Sequence, residues 1–376
     1  MNNKYILIIF LLCLVKTGFS QERRVITTAV PFLMISADAR ASGLGEQGVA
    51  TTPDAFSQHW NPSKYVFSES LSGVGVSYTP YLSKLVSDVF LANVNYFNVI
   101  DDRSSWSASF KYFSLGDIDI IQNPQDIPIL ENPNEFTLDA SYSLKLSEYF
   151  ALAVTGRFLM SDVKLQSVDS DSDSASSFAV DISGFFQSDE KAYRNFNGIW
   201  RAGFNISNIG PRMKYEELGK KNFIPTNLKL GTAFDFIFDS SNKVSLNLEL
   251  NKLLVPSPSI PIYNSNNQII GYNQADVNFL SGIFKSFGDA PDGFSEELNE
   301  FTLAMGIEYL YNDSFAIRAG YFNENENKGA RKFITFGTGF KLNEINLDLS
   351  YLLSTSSIIS PLENTLRFSF TYNFSY

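Results

Sequence analysis

The chain of 376 residues holds one cysteine and one histidine, and these two shortages remove most enzyme chemistry. With Cys13 as the sole thiol no disulfide can form, so a fold in an oxidising compartment must rest on burial and backbone pairing. Any Ser-His-Asp or Cys-His device would have to use His59, and no G-x-S-x-G elbow is present. Long apolar runs are missing too: the longest, Tyr5 to Val15, falls short of the roughly 18 residues that a membrane-spanning helix needs. It follows Lys4 and precedes Gly18 and Ser20, so residues 1–20 read as a secretory signal peptide. Leu12 is not the small residue that a lipoprotein signal carries before its cysteine. Positive charge is scarce, 29 Lys and Arg against 40 Asp and Glu, for a net charge of −11. That balance sets nucleic acid aside as a partner, since nucleic acid selects a basic face.

Aromatic residues are in excess, 34 Phe and 18 Tyr, yet mean hydropathy is near zero. Such a combination arises when lipid-facing residues alternate with polar residues facing a lumen. The last strand is the plainest case: Leu366, Phe368, Phe370, Tyr372, Phe374 and Tyr376 alternate with Arg367, Ser369, Thr371, Asn373 and Ser375. Period-two runs predict strands at 71–79, 86–98, 103–114, 135–147, 149–161, 177–188, 197–208, 226–238, 243–254, 300–311, 314–322, 331–342, 344–353 and 363–375. Links after even-numbered strands are short. Links after odd-numbered strands are mostly long, clearest at 115–134, 162–176, 209–225 and 255–299, with 80–85 the exception. Sorting by parity is expected where one barrel end faces the periplasm and the other the exterior. The predicted fold is therefore all-β, a fourteen-stranded antiparallel transmembrane β-barrel in the cell outer membrane with periplasmic termini. Strand fourteen should pair with strand one near Leu71, leaving no open edge in lipid.

Residues 21–70 precede the barrel of 71–376 and are assigned to an N-terminal plug. They contain Asp38-Ala-Arg40-Ala-Ser-Gly43-Leu-Gly45-Glu-Gln-Gly48 and Gln58-His59-Trp60-Asn61-Pro62. These stretches resemble the N-terminal segment of the FadL-type family of outer-membrane proteins, whose fourteen-stranded barrels carry a plug in the lumen. More narrowly, Thr28 to Arg40, continued by Gly48 to Asp54 and Gln58 to Tyr65, resembles the branch of that family serving type IX secretion in Bacteroidetes. The motif-level likeness covers residues 28–67; barrel pattern and length carry the rest.

Gly43, Gly45 and Gly48 also fit the dinucleotide fingerprint G-x-G-x-x-G, but no strand precedes them and no parallel-sheet pattern follows. They are expected instead to let the backbone turn tightly against the inner barrel wall. His59, beside Trp60 and Pro62, is expected to be a packed, hydrogen-bonded plug residue. Asp169, Asp171 and Asp173 imitate the start of an EF-hand loop, yet Ser174 stands where glycine is needed and Val180 where glutamate is needed. No catalytic residue, cofactor or metal is predicted. The long link 255–299 is not uniformly polar: it offers Ile260, Ile262, Tyr263, Ile269 and Ile270. Phe279, Leu280, Ile283, Phe284 and Phe287 then follow at helical spacing, which predicts a short amphipathic helix. These ten residues are the candidate partner-binding set, against the alternative that the barrel's own rim covers them.

The type IX resemblance implies a non-enzymatic component of the outer membrane, in contact with its lipid. Such a component associates with an SprA-type translocon, receives secreted cargo by its C-terminal signal domain and passes it to a PorU-type sortase. A channel for hydrophobic small molecules fits the barrel equally well, because fold does not fix function. Lipopolysaccharide deacylation stands third. It would need a convergent polar site, such as two carboxylates roughly 5 to 10 Å apart, and no sequence motif supplies one.

Overall fold

Alternation at period two gives each strand one face for lipid and one for the interior, and closure follows because an open edge would strand N–H and C=O groups in hydrocarbon. A computed structural model describes residues 24–121, 127–163, 174–215, 221–258, 261–264, 269–272, 277–356 and 361–374, with backbone only at 261–263 and 269–272. Fourteen strands make the barrel: β1 (Ser72–Pro80), β2 (Val89–Asp101), β3 (Ser104–Leu115), β4 (Asn134–Lys145), β5 (Phe150–Asp162), β6 (Ala175–Gln187) and β7 (Asn197–Ile209), then β8 (Asn227–Ile237), β9 (Asn242–Leu253), β10 (Phe301–Tyr311), β11 (Phe315–Asn323), β12 (Lys332–Leu342), β13 (Ile345–Ser354) and β14 (Leu366–Phe374). Each pairs antiparallel with its neighbour in sequence, and β14 returns to β1 from Ser72 opposite Phe374 to Tyr78 opposite Phe368. Every predicted strand overlaps an observed one, with ends shifted by at most a few residues. Ser375 and Tyr376 lie outside the described residues.

Three short pairings escaped the sequence reading: Lys191–Ala192 beside β7, Ile118–Ile120 with Ile129–Glu131, and Pro261–Tyr263 with Ile269–Tyr272. Runs of two to four residues are too brief to display a period. The links separate by parity as expected. One end carries 102–103, 146–149, 188–196, 238–241, 312–314 and 343–344; the other carries 81–88, 116–133, 163–174, 210–226, 254–300, 324–331 and 355–365. The link at 81–88 is less of an exception than 80–85 implied, because β2 starts at Val89.

Both ends of the barrel sheet, Ser72 and Phe374, lie at the short-turn end, as an even strand count requires. The segment ahead of β1 runs the length of the lumen, so Arg24 lies at the opposite, long-loop end. There its N–H donates to the Asn327 carbonyl at 3.0 Å and its guanidinium pairs with Asp292 and Glu296 at 3.2 Å each. Further along, Phe67 lies beneath the Lys145 ammonium at 4.6 Å, beside the short turns. Outside, Leu246, Leu248 and Leu250 are exposed to lipid; inside, Ser245, Asn247 and Glu249 are buried. Leu248 sits near the middle of β9, so Leu248→Arg is expected to destabilise the barrel by about 2 to 4 kcal/mol, the scale for a cation on the lipid face at midplane. Urea unfolding in lipid vesicles, followed by heat-modifiable gel mobility, measures this.

Candidate functional site

The N-terminal segment is organised around one carboxylate and one indole. Asp38 caps helix α1 (Ala39–Gly43), accepting from the Ala41 N–H at 2.8 Å through one oxygen, and accepts from Trp60 Nε1 at 2.8 Å through the other. Trp60 ends helix α2 (Ser57–Trp60) and lies across Gly48, where any Cβ would overlap its ring. The Lys229 ammonium covers the indole at 4.1 Å from the ring centroid. Asn61 then caps the 3-10 helix Pro62–Phe67, accepting from Ser63 N–H at 3.2 Å, with Pro62 in the first turn, where its missing N–H costs nothing. The two sequence motifs are thus the two halves of one packed unit, joined by Asp38, Gly48 and Trp60.

The wall is shaped to receive that unit. Gly45 has φ +83, a left-handed conformation that favours glycine, and a Cβ there would lie 2.8 Å from the Tyr321 carbonyl oxygen. Gly43 faces Gly337, and a Cβ on Gly320 would strike Leu44 and the Gly45 N–H. Across the lumen Gly203 and Gly231, paired between β7 and β8, admit Val49 and Ala50. Of the three fingerprint glycines, Gly43 and Gly45 therefore meet the wall, and Gly48 meets Trp60.

Polar contacts run from β1 round to β14. Arg40 pairs with Glu308 at 2.9 Å and with Asp54 at 2.9 Å, while Arg318 binds Glu308 and reaches Asp348 at 2.6 Å. Glu46 pairs with Arg367 at 2.8 Å. Glu249 accepts from the backbone N–H groups of Gly48 and Val49, both at 2.9 Å. Asn61 donates to the Gly184 carbonyl at 2.9 Å, and Ser143 donates to the Pro62 carbonyl at 2.8 Å. None of the wall partners stood out in the sequence reading. The signal was there: Arg318, Glu308, Glu249 and Arg367 are charges in the inward register of strands whose other inward residues are mostly small or neutral.

Burial acts on the titratable groups of this segment. His59 packs edge-on against Trp60 at 4.8 Å, with Nδ1 2.8 Å from the Lys111 ammonium. Burial, then the charges of Lys111, Lys229 and Arg157, holds His59 well below its ordinary value, so it is a neutral acceptor for Lys111. Burial and the neighbouring Asp54 push Asp38 up to about 6. Burial lowers Lys64 to about 8; its ammonium donates to the Gly48 carbonyl at 2.8 Å and to Thr51 at 3.0 Å.

The two ends of the lumen differ. Towards the long loops, Val30, Phe32, Leu33 and Ile35 fill an apolar chamber walled by Leu91, Phe113, Leu159, Phe322 and Phe333. Phe32 stacks on Phe113 at 5.9 Å. Towards the short turns a cavity of about 330 Å³ opens below the plug, lined by Arg40, Asp54, Phe56, Glu69, Lys243 and Asn346 among others. In the long link, helix α3 (Phe279–Lys285) occupies the predicted position, capped by Asn278. Leu280, Phe284 and Phe287 are exposed, whereas Phe279 and Ile283 are half-buried. Ile262, Tyr263, Ile269 and Ile270 lie on the small hairpin, whose side chains are not described; Ile260 and Asp169, Asp171 and Asp173 fall outside the described residues.

A family model described as the type IX secretion system protein PorV matches residues 19–260. Among solved structures the chain is similar to the toluene transporter TodX of P. putida, with a TM-score of 0.51 at 12% identity over 91% of this chain and 100% of that one. It is also similar to the Ralstonia pickettii toluene transporter TbuX, with a TM-score of 0.50 at 10% identity over 92% and 100%. A TodX deltaS2S3 mutant gives 0.53 at 11% identity over 90% and 99%. At such identities the likeness shows the fold alone. No curated protein matches the chain.

Overpacking a tight contact costs about 1 to 3 kcal/mol, and Gly320 abuts backbone that cannot yield. Gly320→Val is therefore expected to unseat the plug from a barrel that still folds. Ion conductance in planar bilayers should rise and trypsin should cut at Arg40; conductance equal to the parent protein would contradict the seating. For His59 the sign follows from proton linkage. Its folded value lies below the unfolded 6.5, so the unfolded form binds more protons and stability is lost as pH falls below about 6.5. Asp38, raised from 3.8 to about 6, opposes this by gaining stability as pH falls through 6. The comparison of parent with His59→Gln isolates the histidine: between pH 7.5 and 5, protease protection of the plug should fall more in the parent.

Proposed function

The chain belongs to the PorV family of type IX secretion system proteins, and from that membership we propose that it is a non-enzymatic carrier of secreted cargo whose exchanges take place at its outer face and not through its lumen. One observation carries the reading: the plug is fixed by backbone against wall glycines and by buried ion pairs such as Glu46 with Arg367, so the lumen is occupied from the apolar chamber at the long-loop end to the glycines at its centre. Cargo bearing a C-terminal signal domain would be received from an SprA-type translocon and handed to a PorU-type sortase at the long-loop end. The link 254–300 is the largest element there. Within it the hairpin Pro261–Tyr263 with Ile269–Tyr272 is the part offered to protein partners.

The channel reading draws on the apolar chamber at the same end. That chamber is filled by the chain's own Phe32 and Leu33, so a hydrophobic solute would have to displace a segment anchored at Arg24. We therefore favour the carrier.

Replacing residues 259–276 with a short Gly-Ser link removes the hairpin and spares Glu296, Glu297 and Glu300, which neutralise buried lysines. Barrel insertion should be unchanged, while secreted cargo at the cell surface should drop to the level of a strain lacking the protein. Normal secretion by this variant would remove the hairpin from the proposal. Uptake of a labelled fatty acid, measured in the same strains, should not depend on the protein.

A further inference from the structure

Part of the link 254–300 covers the outward face of the barrel wall at its long-loop rim, as the register around Lys252 shows. In β9 the residues Ser245, Asn247, Glu249 and Asn251 face the lumen and Leu246, Leu248 and Leu250 face lipid, so Lys252 belongs to the lipid side. Phe301 of β10 stands directly opposite it, in the same register as the lipid-facing Met305. A lysine in that place should be bare, yet Lys252 is 1% exposed. Glu300 and Glu297 cover its ammonium at 2.6 and 3.2 Å, and the rings of Phe301 and Phe287 lie 5.4 and 5.9 Å away. Lys328 bridges Glu296 and Glu300 at 2.7 and 2.9 Å. Buried ion pairs thus clamp helix α4 (Phe294–Leu298) and the turn after α3 against the outer rim of the wall.

What these helices turn away from the protein is apolar. Leu280, Phe284 and Phe287 share one side at i, i+4 and i+7, and Phe294 and Leu298 share another at i and i+4; all five are 51 to 78% exposed. Asn278, Ser281 and Lys285 are exposed beside the α3 stripe, as are Asp292 and Ser295 beside that of α4. We propose that this face is an interfacial ledge seated in the outer leaflet, with lipid acyl chains as its partner. Continuity selects lipid over a water-borne protein. Phe287 meets Lys252 alongside Phe301, and Phe301 begins the column that runs down β10 to Met305 in the lipid-facing band. An apolar, two-sided segment joined to that band has the character of a helix lying in the membrane surface. The clamp is then what keeps a lysine of the lipid face neutralised and out of hydrocarbon. The ledge depends on the outer-membrane barrel and is independent of any role in secretion.

Spin labelling tests it in the full chain. A Cys13→Ser background leaves no other cysteine, and labels at Phe284→Cys, Phe294→Cys and Leu298→Cys are compared with Leu250→Cys on the lipid face and Ser240→Cys in an exposed short turn. The proteins are reconstituted in phosphatidylcholine vesicles, and heat-modifiable mobility confirms that each is folded. Collision with oxygen relative to a water-soluble nickel chelate should match Leu250→Cys at the three ledge positions and lie several-fold above Ser240→Cys. Ledge labels that meet the nickel chelate as freely as Ser240→Cys would overturn the lipid assignment and leave the face to a soluble protein.

Discussion

Charge placed on the inner surface of a closed barrel has to be neutralised inside it, and the rest of this structure follows from how that is done. The strands of the wall carry Glu249, Glu308, Arg318 and Arg367 inward, all buried. A buried ion with its partner removed costs about 3 to 5 kcal/mol, so a wall of this kind is not stable around an arbitrary filling. The wall meets part of the need itself, through Arg157 with Asp139 and Asp181, and Arg201 with Asp235. The N-terminal segment supplies more: Arg40 as a second cation for Glu308, which Arg318 also binds, Glu46 for Arg367, and two backbone N–H groups for Glu249. Plug and wall are therefore one electrostatic unit, although the wall is formed wholly by the chain that follows the plug.

One half of that unit is legible in the sequence and the other is not, for a physical reason. Alternation along β9 or β14 is a local signal, because the pleat itself sends successive side chains to opposite faces. Loop parity is equally local. The fit of the plug is not: Arg40 and Glu308 stand 268 residues apart, and Gly320 is reserved for Gly45 across a similar distance. Nothing in either neighbourhood announces its partner. Within the plug the picture reverses, since Asp38 and Trp60 are close enough in sequence for their motifs to be seen, though their hydrogen bond was not. The hairpin at 261–272 and the clamp on Lys252 were missed on similar grounds, one too short for a period and the other a break in a period that only the covering helix explains.

One barrel fold can serve transport or secretion, and the chain resembles toluene transporters in fold while belonging to a secretion family. A route for solutes needs space that opens without breaking buried ion pairs. Here the segment from Arg24 to Phe67 is fastened at both ends and along its middle: to Asp292 and Glu296 above, to the paired glycines at the centre, and under Lys145 below.

The fastening at Arg24 also ties the interior to the exterior. Glu296 accepts both Arg24 and Lys328, and Lys328 shares Glu300 with Lys252, the lysine of the lipid face. A chain of paired charges, buried beyond its first member, thus runs from the start of the plug, through the loop helices, to the rim of β9. Each member is neutral only in company, so the long-loop face cannot shift as a free lid without exposing a cation to lipid or an acid to the apolar rim. Its rigidity is a consequence of the barrel's charge placement. The described part of the long-loop face around Lys252, Lys328 and Glu300 is accordingly a fixed platform.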